Sequence, residues 1–212
     1  MSRVMRLGVL GGTFDPIHTG HLIAAEAVRE RCRLDRVLFV PAGTPPHKLA
    51  GEVTPARHRY LLTCLATLNN PFFEVDRVDL DREGPSYTLE TIRALKRKYR
   101  EAELFFIMGA DSLLDLPSWH EPAALLASCR FIVTTRPGWD LAEAEARLGT
   151  LLAENRERIE FVEIPGIEVS SSEIRRRLAQ GGSVRYLVPD LVLRYIEAHR
   201  LYVPGARVGG DV

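Results

Sequence analysis

Short apolar runs alternate along this chain with longer amphipathic stretches. Val4 to Leu10, Val37 to Val40, Leu104 to Met108, Phe131 to Thr135 and Ile159 to Ile164 read as strands, and several are apolar throughout rather than at alternate positions. Continuous apolar character predicts strands covered on both faces, as in a parallel sheet. Helices are predicted between them. His21 to Arg31 is rich in Ala, Glu and Arg, and Thr54-Pro55 supplies an N-cap and an N1 proline for a helix running to about Leu68. Thr88 to Tyr99, Leu141 to Asn155, Ser171 to Ala179 and Leu191 to Ala198 complete the set. This alternation predicts an α/β fold, a doubly wound Rossmann-like parallel sheet with helices on both faces. One domain is expected over residues 1–203, with a fraying, glycine-containing tail at 204–212. Ligands of such sheets sit beyond the carboxyl ends of the strands, so the loops after the strands are where chemistry is expected.

The first run ends in Gly11-Gly12-Thr13-Phe14-Asp15-Pro16-Ile17-His18-Thr19-Gly20-His21. Paired glycines admit a tight turn and a close ligand. A helix starting near Thr19 or Gly20 would aim free N–H groups and its positive dipole end into the same mouth, an arrangement suited to phosphate. His18 and His21, three apart, fall on one side of that helix start. On residues alone they are open to two other readings, zinc ligands or buried structural histidines. The string is neither a Gly-x-Gly-x-x-Gly fingerprint nor a P-loop.

Near the other end stands Val169-Ser170-Ser171-Ser172-Glu173-Ile174-Arg175. Ser170 and Glu173 read as a capping box, which leaves Ser171 and Ser172 as first helical residues with exposed N–H groups. Arg175 follows one turn in, where a cation is disfavoured by about 0.3–1 kcal/mol unless an anion or another partner compensates. Arg176 and Arg177 read as an ordinary solvated face.

Charge narrows the partners. The 212 residues carry 28 Lys+Arg and 28 Asp+Glu, a formal net charge of zero, so nothing general draws the chain to nucleic acid or an anionic membrane. Cys32, Cys64 and Cys129 form neither a disulfide framework nor a metal knuckle, and no run is long enough to span a bilayer. A cytoplasmic protein is expected, with no protein-held metal; oligomeric state is not readable.

The eleven-residue string resembles the His-x-Gly-His signature of the nucleotidylyltransferase superfamily, and Ser-Ser-x-x-Ile-Arg resembles its second motif, with Val169 and Ser172 as mild departures. The resemblance implies that His18 and His21 act at the α-phosphate of ATP, that Gly11, Gly12, Thr13 and Phe14 lie against ATP, and that Ser171, Ser172 and Arg175 hold the β- and γ-phosphates. Four further segments contain Pro45-Pro46-His47-Lys48, Gly84-Pro85-Ser86-Tyr87-Thr88, Met108-Gly109-Ala110-Asp111 with Trp119, and Thr134-Thr135-Arg136-Pro137-Gly138. At these spacings they resemble bacterial nicotinate-mononucleotide adenylyltransferases, from about Leu7 to Tyr202. That likeness implies that Gly109 and Asp111 meet the adenylate half, Asp111 otherwise being a helix N-cap. It implies that Trp119, Tyr87 and Thr88 frame a pyridine ring, and that Lys48 and Arg136 neutralise phosphate on the acceptor side, with His47 a weaker candidate. ATP, nicotinate mononucleotide and Mg²⁺ travelling with ATP are the implied ligands. A phosphopantetheine or nicotinamide-mononucleotide acceptor, a non-catalytic nucleotide sensor and a nucleic-acid module are the rival functions.

Overall fold

The computed structural model describes residues 3–46 and 53–205. Its centre is a six-stranded, wholly parallel sheet in the order β3-β2-β1-β4-β5-β6. The strands are β1 (Met5–Gly12), β2 (Arg36–Pro41), β3 (Phe73–Val75), β4 (Ala102–Gly109), β5 (Arg130–Thr135) and β6 (Ile159–Glu163). The predicted runs form the strands at these places. The additional strand β3, three residues at the sheet edge, is too short to carry a pattern.

Alternation along the strands divides the core into two layers. Leu7, Val9, Phe106, Phe131 and Val133 pack with α3 (Thr88–Lys98), α4 (Ala110–Asp115), α5 (Pro122–Ser128), α6 (Leu141–Leu148) and α7 (Thr150–Ala153). Val37, Phe39, Phe105, Ile107 and Ile132 pack on the opposite face with α1 (Thr19–Arg31), α2 (Ala56–Thr67), α8 (Ser171–Ala179) and α9 (Asp190–Ala198). Such double winding reverses direction between β1 and β4, and there the loops part into a crevice.

Several boundaries depart from the sequence reading. The cap of α2 is Pro55, not Thr54; the Thr54 amide donates instead to Asp15 Oδ2 at 3.3 Å. The helix expected over Leu141 to Asn155 breaks at Gly149, whose φ of +52° an L side chain rarely adopts. Helices α4 and α5 went unread because Pro117 and Pro122 interrupt a short stretch. Of the expected tail, 204–205 alone lie within the described residues. No helix among those residues is long and apolar enough to cross a membrane.

Candidate active site

Two pockets share the carboxyl ends of β1 and β4. Leu10, Ile107, Met108 and Gly109 wall one together with His18, His21, Asp111 and Arg136. Gly11, Gly12, Thr13 and Phe106 wall the other together with Ser86, Tyr87, Thr88 and Trp119. Gly11, Gly12 and Thr13, expected beside ATP, thus face the pocket of Trp119. Arg136, expected with the acceptor, faces the pocket of the histidines.

His18 is the N-cap of α1, and its ring stacks on that of His21 with centroids 3.7 Å apart. The His18 amide donates to His21 Nδ1 at 3.2 Å, which leaves the His21 proton on Nε2. Burial lowers the His18 pKa to about 4, and burial followed by the neighbouring His18 lowers that of His21 to about 3. Both are therefore neutral at pH 7, and Nδ1 of His18 is buried without a hydrogen-bond partner among the described residues. The free N–H groups expected at this helix start are mostly engaged: Thr19 donates to Leu187 O at 2.9 Å and His21 to His18 O at 3.0 Å. Phe14 lines neither pocket. It is buried, at a φ of +49°, with its ring edge-on to His21 at 5.1 Å, so it braces the imidazole from behind.

The second motif docks directly on the first. Arg175 Nη1 donates to Asp15 O at 2.6 Å, and Ser171 Oγ donates to Pro16 O at 2.9 Å. Arg175 Nη2 also reaches Ser172 Oγ at 3.3 Å. These partners offset the unfavourable place of a cation one turn into the helix. Ser170 caps α8 by accepting from the Glu173 amide at 3.2 Å, but the reciprocal half of the expected capping box is absent. The Glu173 carboxylate pairs with Arg176 and Arg177 instead, and those hydrogen bonds hold its pKa down at about 2. The amides of Ser171 and Ser172 remain without acceptors among the described residues.

On the other side, Trp119 follows a 3-10 turn and packs edge-on against Phe106 at 6.2 Å. Tyr87 caps α3, and its ring stacks on His120 with centroids 4.2 Å apart. Gly109, not Asp111, caps α4; Asp111 lies exposed in the first turn. Lys48 and His47 lie outside the described residues. Among the described residues no three His, Cys, Asp or Glu side chains converge, and Cys32, Cys64 and Cys129 are all free thiols.

Sequence reading missed four residues. His120 lines the Trp119 pocket, as does Asp79, a buried carboxyl that burial pushes up in pKa and that accepts from Thr91 Oγ1 at 2.7 Å. Tyr202 donates to the buried Asp15 carboxylate at 2.8 Å. Arg59 is buried among main-chain carbonyls, its charge opposed by burial and favoured by Asp15 and Tyr202. A signal for Arg59 existed: Leu62, Thr63 and Thr67 place it on the buried face of α2.

The cytidylyltransferase-like family model matches residues 9–177. A "Probable nicotinate-nucleotide adenylyltransferase" of Thermoanaerobacter sp. (strain X514) is 47% identical over 203 residues, covering 95% of this chain and 96% of its own. A relative of the same description from Moorella thermoacetica is 46% identical, covering 96% and 94%. In fold, the chain is similar to the Plasmodium falciparum nicotinic acid mononucleotide adenylyltransferase complexed with NaAD, at a TM-score of 0.75, 19% identity and coverage of 93% and 97%. With identity near one half along nearly its whole length, this chain belongs to the cytidylyltransferase-like family and, within it, to the nicotinate-nucleotide adenylyltransferases.

Proposed function

We propose that this protein transfers AMP from ATP to nicotinate mononucleotide, releasing pyrophosphate and nicotinate adenine dinucleotide. The observation that carries the reading is the docking of Arg175 and Ser171 on the carbonyls of Asp15 and Pro16. It holds the start of α8 against the loop that leads to His18, with a second, aromatic-walled pocket across the strand ends.

In this reading an oxygen of the mononucleotide 5′-phosphate attacks the α-phosphorus in line. A new P–O bond forms as the α–β bridging P–O bond breaks and its electron pair leaves with pyrophosphate. Transfer of this kind asks the protein for alignment and charge stabilisation rather than a nucleophile. His21, with its proton fixed on Nε2, and His18 offer neutral donors at the α-phosphate. Ser171 and Ser172 amides, with Arg175, receive the β- and γ-phosphates. Asp111 accepts ribose hydroxyls, while Gly109 leaves room for the nucleoside. Trp119, Tyr87 and Thr88 frame the pyridine ring. Arg136, exposed in the histidine-side pocket, neutralises phosphate there; Lys48 keeps the acceptor-phosphate role.

Mg²⁺ fits as a companion of the triphosphate, since Asp111 is the one carboxylate lining the histidine pocket among the described residues. When bound it would neutralise charge on the departing pyrophosphate.

The test supplies ATP and Mg²⁺ with nicotinate mononucleotide, nicotinamide mononucleotide or phosphopantetheine and follows pyrophosphate. Fastest release with nicotinate mononucleotide is expected; preference for phosphopantetheine overturns the reading.

A further inference from the structure

Arg59 is the largest fully buried side chain among the described residues, at 1% exposure. An arginine so placed ordinarily needs a carboxylate against it. Here, among the described residues, its hydrogen bonds all end on main-chain carbonyls. Nε donates to Thr54 at 2.8 Å, Nη1 to Thr13 at 2.8 Å and to Ala42 at 2.6 Å, and Nη2 to Gly43 at 2.9 Å. One guanidinium therefore joins three segments that the sequence keeps apart: the turn after β1, the loop after β2 and the entry to α2.

Two of those segments are walls of the aromatic pocket, through Thr13 and Ala42. From Gly43 the restraint passes on. The next residue, Thr44, donates to Ser86 Oγ at 3.2 Å and accepts from the Ser86 amide at 2.8 Å, and Ser86 and Tyr87 form the opposite wall. The loop has no slack on its far side either, because a Cβ on Gly43 would stand 2.3 Å from Asp79 O. Among the described residues Arg59 makes no hydrogen bond to α8 or to the His18 ring; it reaches that side at one remove, through Thr54, whose amide donates to Asp15 Oδ2 at 3.3 Å.

We propose that Arg59 is a positioning residue for the acceptor: its fork of donors sets the spacing between the Thr13, Ala42 and Ser86–Tyr87 walls and so the fit of the phosphorylated acceptor, while the ATP side feels it only at one remove, through Thr54 and Asp15. The inference rests on the reading that this pocket takes nicotinate mononucleotide. Arginine suits the task because its donors sit in a rigid planar array that spans three carbonyl groups at once; a lysine offers its protons from a single point and cannot. Small displacements matter here, since a misplacement of about 1 Å in such a reaction can cost about 10²-fold.

The experiment compares Arg59→Lys and Arg59→Met with wild type, measuring KM for nicotinate mononucleotide and for ATP separately, kcat, and amide hydrogen exchange at residues 42–44 and 86–87. The expected result is a rise of about tenfold or more in acceptor KM with ATP KM within about threefold of wild type. Faster exchange at both walls should accompany it, with Arg59→Lys intermediate between wild type and Arg59→Met. Equal changes in both KM values, or unchanged exchange at the walls, overturn the proposal. So does failure of both variants to fold, which would make Arg59 a residue of general stability. Should wild type itself make no dinucleotide, the functional reading fails, and exchange at the walls still reports on Arg59 alone.

Discussion

Arg175 and Asp15, separated by 160 positions, are joined by a hydrogen bond of 2.6 Å from guanidinium to main-chain carbonyl. The carbonyl belongs to the loop that ends in His18, so the second motif physically sets the first. A polyphosphate spanning both sites would meet a cation already oriented before it arrives, and charge-assisted contacts formed without reorganisation are the effective ones.

From that geometry, His18→Ala should lower kcat by about 10²–10³, the usual cost of removing one donor at a developing charge. The fold should remain, because the cap of α1 retains its main-chain bonds. Pyrophosphate release under saturating substrates checks the rate, and circular dichroism checks the fold. Turnover near wild type would remove His18 from the mechanism.

Acid sensitivity follows from the same pair. The ring pKa values are about 4 for His18 and about 3 for His21, against 6.5 for an exposed histidine. As pH falls below 6.5 the unfolded chain takes up protons that the folded rings refuse, so their contribution is intact above 6.5 and lost through about 4 and about 3. His21→Gln should therefore flatten the slope of unfolding free energy against pH below 6.5. His58, also lowered by burial, keeps part of the slope. Urea melts from pH 4 to 7 measure it, and a slope identical to wild type contradicts the assignment.

Trp119 serves two neighbours, Phe106 beneath and, above, the pocket proposed for the acceptor. Trp119→Phe should keep most of the core contact while weakening the stack on a pyridine ring, a pairing worth about 0.5–1.5 kcal/mol. Acceptor KM should rise by about two- to tenfold with ATP KM unchanged, read by steady-state kinetics. An equal shift in ATP KM would place the ring elsewhere.

How much of this could be read from residues depended on how local each signal was. Helix α8 was found at its observed ends, because Ser170 and the apolar spacing behind it are short-range cues. The strand cores were found because burial on both faces leaves no polar position. Helices α4 and α5 were missed where prolines mask a short element, and β3 because three edge residues have no period. Among site residues, the histidines and Trp119 sit in distinctive strings, whereas Arg59 acts through carbonyls of three distant segments. No sequence pattern encodes a carbonyl's position. Phe14 shows the converse: a residue inside a motif whose side chain braces the site without lining it.

Tyr202 ties the last described turn to the active-site loop. Its hydroxyl donates to the Asp15 carboxylate at 2.8 Å, and that carboxylate is 2% exposed. Tyr202→Phe leaves a buried charge short of one donor, a loss of about 1.5–3 kcal/mol for a hydrogen bond to a charged group. Urea denaturation should show a lower midpoint at unchanged slope. A midpoint within error of wild type would mean the Thr54 amide suffices alone.

Gly20 offers a substitution that separates activity from stability. It lies in the first turn of α1, where alanine is ordinarily the better helix former by about 0.5–1 kcal/mol. A Cβ there would stand 3.1 Å from His18 Nδ1 and 3.8 Å from Val169 O, so the tight contact falls on the histidine ring rather than on backbone. The ring must shift by a few tenths of an ångström, which disturbs its alignment. Gly20→Ala should thus leave the melting temperature unchanged or raised while kcat falls, by about tenfold if alignment of the ring matters as argued. A loss of stability with kcat preserved would mean that the helix, not the imidazole, absorbs the methyl group, and that the position of His18 is not what limits transfer.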